Sequence, residues 1–120
     1  MKKSFHPRDN KGELMPNAVD FVPLIYICGT ETHRLALHRS LTPMPAKFQE
    51  WHLSEPETGL HVRTVVGSHM GATVSSRGMN QREARQAAMH TLDTFLERIG
   101  SDKFNNTIAQ AKAKWLGVAA

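Results

Sequence analysis

A single cysteine, Cys28, in 120 residues excludes a framework of intrachain disulfides and makes a reducing compartment the simpler expectation. Long apolar runs are missing as well. The longest apolar-leaning stretch, residues 18–28, is broken by Asp20 and Pro23 and falls short of the roughly 20 residues a membrane-spanning helix needs. It follows a basic start (Lys2, Lys3, Arg8, Lys11), as a secretory leader would, but Asp9, Glu13, Asp20 and Pro23 interrupt that pattern. Tyr26 and Ile27 are bulky where processing takes small residues, so a cytoplasmic location is expected. Catalytic signatures are scarce too. There is no Gly-x-Ser-x-Gly, no motif around Cys28, and too few acidic residues in the strand region for a two-metal centre. The chain has neither an internal repeat nor a low-complexity tract.

What is present fits one domain with a modest core: 40% hydrophobic and 22% charged residues, with a formal charge of +4. The distribution of that charge is more informative than its total. Residues 1–60 hold seven Lys/Arg and seven Asp/Glu, whereas residues 61–120 hold eight against four. The whole excess therefore lies in the second half, which raises the case for a polyanion partner, although many small domains are mildly basic without one.

Residues 1–16 mix charges with Gly12, Pro7 and Pro16 and read as a flexible tail. Residues 17–28 fit either a helix capped by Asn17 or a strand over Phe21–Ile27, with Pro23 speaking against the helix. A helix is expected over Glu31–Leu41, ended by Thr42-Pro43-Met44-Pro45. From Phe48 the period changes to two. Strands are expected at Phe48–Leu53, Leu60–Val66 and Ala72–Ser76, the last two separated by a turn at Gly67–Gly71, forming an antiparallel meander.

Asn80 with Glu83 three residues on is a capping-box start, and Ala84, Ala87, Ala88, Leu92 and Phe95 continue at helical spacing to a stop at Gly100. A last helix, residues 101–117, carries Phe104, Ile108, Ala111 and Trp115 on one face. The expected fold class is thus α+β: a three-stranded antiparallel sheet covered on one face by helices, in α-β-β-β-α order, over residues 17–100 with a helical extension at 101–117.

Arg82 and Arg85, with Gln81, stand on the first turns of the helix after Asn80. There the positive end of the helix dipole and two guanidinium groups offer a phosphate site. The plainer reading is that both arginines only solvate an exposed face. His52, His61 and His69 can approach one another across neighbouring strands, but no two histidines stand at close ligand spacing. No metal or other cofactor is expected.

Gly59-Leu60-His61 is similar to the Gly-Pro-x-His loop of the double-stranded RNA-binding domain, with Leu60 where that family has proline. Asn80-Gln81-Arg82-Glu83-Ala84-Arg85-Gln86-Ala87-Ala88 resembles the Ser-Lys-Lys-x-Ala-Lys-x-x-Ala-Ala start of its last helix. The resemblance covers residues 59–96 best. It implies non-catalytic binding of double-stranded RNA by shape and phosphate contacts across the grooves. Arg82 and Arg85 take the basic phosphate contacts, Gln81 a position often held by lysine, and His61 the minor-groove loop. Arg77 joins them by position and charge alone. Family members lacking first-helix contacts serve instead as protein-binding or dimerising modules, here through the sheet face or the C-terminal helix.

Overall fold

A computed structural model describes residues 3–9, 11–40 and 45–117. Among the described residues, seven strands, interrupted by one 3-10 turn at Ala46–Phe48, precede two α-helices. Strands β1 (Lys3–Phe5), β2 (Val19–Cys28), β3 (Glu31–Arg39), β4 (Trp51–Glu55) and β5 (Leu60–Thr64) form an antiparallel sheet in chain order. A separate two-stranded hairpin, β6 (Val66–His69) and β7 (Ala72–Ser75), precedes α1 (Gln81–Ile99) and α2 (Ser101–Leu116).

The expected fold class is corrected on two counts. The main sheet has five strands rather than three, and both segments considered for an N-terminal helix are strands. In β2, alternate residues Leu24, Tyr26 and Cys28 are buried while Ile25 and Ile27 are exposed, a period of two that a helix cannot satisfy. Pro23 is tolerated because β1 covers only Val19–Phe21, leaving the rest of β2 on the sheet edge. β3 misleads for a different reason. Leu35 and Leu37 face the helices, yet Ala36 and His38 are also buried, on the opposite face. Burial on both faces makes a continuous apolar run, which periodicity cannot tell from a helix.

The described part of the expected tail contributes that second covering layer. Phe5 meets Phe21 and His38 edge-on at 5.5 and 5.1 Å between centroids. Arg8 hydrogen-bonds through Nε to the Thr58 carbonyl (2.6 Å) and through Nη1 to the Gly12 carbonyl (2.7 Å), and lies 4.3 Å over the Trp115 ring. Gly59 donates its conformational freedom here. Its φ is +81°, and a Cβ would run into the His6 carbonyl. The Gly59-Leu60-His61 string therefore has a local structural cause.

The helices cover the other face. Ala84, Ala87 and Ala88 bring α1 close, and Leu92, Phe104 and Ile108 complete a core with Leu35, Leu37 and Leu53. The expected strand at Leu60–Val66 divides at Val65 into β5 and β6, and the expected turn at Gly67–Gly71 shrinks to Met70-Gly71, both at positive φ. Thr91 locks α1 to β6: its hydroxyl accepts from the Val66 N–H at 3.0 Å. The capping box at Asn80 and Glu83 and the helix break at Gly100 form as their residues predict.

Candidate functional site

Arg77, Gln81, Arg82 and Arg85 are all exposed around the start of α1. The helix terminus itself is already provided for. The Glu83 carboxylate accepts from the Asn80 N–H at 3.0 Å, and the Asn80 side chain accepts from the Glu83 N–H at 2.9 Å. Two of the first-turn donors are thus used, and a negative charge sits at the positive end of the dipole. His61 is not brought to this group. At 100° per residue, Arg82 and Arg85 lie on one flank of α1, while His90, Thr94 and Arg98 lie on the other, and His61 borders that second flank.

A groove of about 370 Å³ runs there between α1 and strands β5 and β6. Arg63 from β5 and Arg98 from α1 both lie over the half-buried Phe95 ring, at 4.7 and 6.0 Å from its centroid. His90 and the threonines Thr64, Thr73, Thr91 and Thr94 add polar groups, and among the described residues no aspartate or glutamate lines the groove. Sequence reasoning missed Arg63, His90 and Arg98. The i, i+4, i+8 spacing of His90, Thr94 and Arg98 was a readable signal; the approach of Arg63 was not, because it needs the strand to pack against the helix.

The sheet face away from the helices holds a second cluster. β3–β4 register sets His38 opposite His52, and β4–β5 register sets His52 opposite Thr64. A bulge then shifts the pairing so that Ser54 faces His61. Three imidazoles consequently adjoin: His38 stacks on His52 at 5.7 Å, and His52 meets His61 edge-on at 5.4 Å. The structure brings His52 and His61 together as the strand pattern allowed, adds His38, and leaves His69 exposed on the separate hairpin.

His38 is fixed by its partners. Nδ1–H donates to the Arg39 carbonyl at 2.9 Å, so in the neutral ring Nε2 accepts the Ser54 hydroxyl at 2.8 Å. Burial drives the His38 pKa down to about 4, only partly offset by the Arg39 hydrogen bond. Partial desolvation also lowers the His52 and His61 values, with the charges of His52 and Arg63 contributing for His61. All three are neutral near pH 7. They line a cleft of about 620 Å³ that also includes Arg8 and Asp9. Among the described residues, no group of three or more His, Cys, Asp or Glu side chains is arranged to hold a metal ion. Also among the described residues, no helix is long and apolar enough to cross a membrane.

Compared with protein-family models, curated proteins and solved structures, the chain matches none.

Proposed function

We propose that this protein binds double-stranded RNA through its phosphates, without catalysis of its own. The observation that carries the reading is the groove between α1 and β5–β6, where two guanidinium groups flank one aromatic ring and, among the described residues, no carboxylate lines it. Guanidinium forks suit phosphate oxygens, and apolar backing from Phe95 holds both groups in place without neutralising them. The basic excess of residues 61–120 acts in the same direction. Arg82 and Arg85 offer a second basic area on the opposite flank of α1, with the exposed Arg77 just before the helix, suited to a second strand of phosphates.

Fluorescence anisotropy with a duplex RNA, a matched duplex DNA and single-stranded RNA, each at two salt concentrations, tests this. The duplex RNA is expected to bind most tightly, with affinity falling steeply as salt rises. The Arg63→Ala/Arg98→Ala pair is expected to weaken binding by at least about tenfold, and Arg82→Ala/Arg85→Ala by less. Absence of salt-sensitive binding to any of the three by a folded protein overturns the proposal.

One observation favours a protein-interaction role instead. Ile25 and Ile27, 51% and 70% exposed, lie on the uncovered part of the β2 edge. An apolar edge contact of that kind is insensitive to salt, so the same titration separates the two readings.

A further inference from the structure

We infer that His52 Nδ1 and His61 Nε2 are the protein half of an exchangeable site for a divalent transition ion that favours nitrogen donors, such as Ni²⁺, Cu²⁺ or Zn²⁺. The two atoms are 3.3 Å apart, with the ring planes at 60°. The pair shares one long hydrogen bond, which the ion would replace. The separation matches the bite of a tetrahedral ion such as Zn²⁺, for which donors about 2.0–2.1 Å from the metal stand about 3.3 Å apart. It is a few tenths of an ångström wider than the roughly 2.9 Å bite at the right angles that Ni²⁺ and Cu²⁺ prefer.

The backbone holds the pair at that distance. His52 and His61 are on adjacent strands of one face, and the bulge after Leu53 moves His61 into diagonal reach of His52. Walls on two sides restrict the rings. His38 stacks against His52, and Thr64 Oγ1 lies 3.3 Å from His52 Nδ1. His38 is not a ligand: it is buried, and Arg39 and Ser54 hold its ring nitrogens at 2.9 and 2.8 Å, closer than the 3.3 Å hydrogen bonds at His52 Nδ1. His61 is exposed, and the adjoining cleft of about 620 Å³ has room for the waters that complete the coordination. Asp9 and Arg8 line the same cleft with opposite charges, the Asp9 carboxylate being held by the Lys11 and Glu13 amides and not positioned as a third ligand.

Imidazole donors select late first-row ions over Mg²⁺ and Ca²⁺, which take oxygen ligands. With two protein ligands and the remainder water, the ion exchanges readily and keeps open positions. Binding needs no net loss of a proton: whichever of the two nitrogens carries hydrogen passes it to the other nitrogen of its own ring, and the freed lone pair takes the metal.

Calorimetric titration of the whole chain with NiCl₂ near pH 7.5, with MgCl₂ as control, reads the site. One equivalent of Ni²⁺ is expected to bind, and no Mg²⁺. His61→Ala is expected to lower Ni²⁺ affinity by at least about tenfold, and His52→Asn to do the same. His69→Ala, which removes an exposed histidine on the separate hairpin, should leave affinity unchanged. With CuCl₂, electron paramagnetic resonance should show two coupled nitrogens in the wild type and one in His61→Ala. Equal Ni²⁺ affinity in wild type and His61→Ala, or an equal loss in His69→Ala, overturns the inference. A Cu²⁺ spectrum unchanged by His61→Ala does so as well, whatever the stability of the other variants.

Discussion

His38 shows how a single buried side chain sets a pH response. An unfolded histidine takes up its proton near pH 6.5, whereas His38 in the fold resists protonation down to about 4. Between those values the unfolded chain binds more protons, so stability falls as pH drops through that window and is fully present above it. The full difference is on the order of 3 kcal/mol, and the lowered values of His52 and His61 act in the same direction. Urea midpoints at pH 7 and pH 4.5 should therefore differ clearly in the wild type. They should differ much less in His38→Gln, whose amide can still meet the Arg39 carbonyl and the Ser54 hydroxyl. An identical drop in both proteins would remove His38 from the account. No spacing in the sequence marks His38, which lies 14 residues before His52; only strand register makes them neighbours.

At the level of elements, legibility depended on how many faces each one buries. α1 has one buried stripe and one exposed face, so its spacing, its capping box and its stop at Gly100 were all readable. Asn80→Ala should lower stability by about 1 kcal/mol, since the Glu83 amide loses its acceptor; a thermal melt checks this. A loss within a few tenths of a kcal/mol would mean that water replaces the cap. β3 was not readable, because Leu35–Ala36–Leu37–His38 is buried throughout and carries no alternation. β2 carried the right alternation, but Pro23 and Asn17 kept the helix open as an alternative until edge position explained the proline. In the candidate site, Arg77, Gln81, Arg82 and Arg85 were found because one helix start holds them together. Arg63 and Arg98 were missed because two elements must meet before they share a groove.

On the scale of the whole molecule, Arg8 joins parts far apart in the chain. Its guanidinium reaches the loop at Gly12, the β4–β5 turn at Thr58 and the indole of Trp115 near the end of α2. Arg8→Ala leaves two carbonyls without that donor and uncovers one face of Trp115, a loss of about 1–3 kcal/mol. Hydrogen exchange should speed up both around residues 56–60 and in the last turn of α2, whereas Arg8→Lys should restore only part of the protection. Faster exchange at one of these places alone would show that Arg8 does not couple them.

Local physics was enough to determine the features that depend on neighbours in sequence. The start and end of α1, the turn at Gly71 and the basic excess of the second half all follow from near residues. Tertiary structure alone decided the number of strands in the sheet, the second covering layer from residues 3–9, and the meeting of His38, His52 and His61. The reason is that a strand buried on both faces loses its period, and side chains on neighbouring strands become partners only through register, which backbone hydrogen bonds between distant segments set.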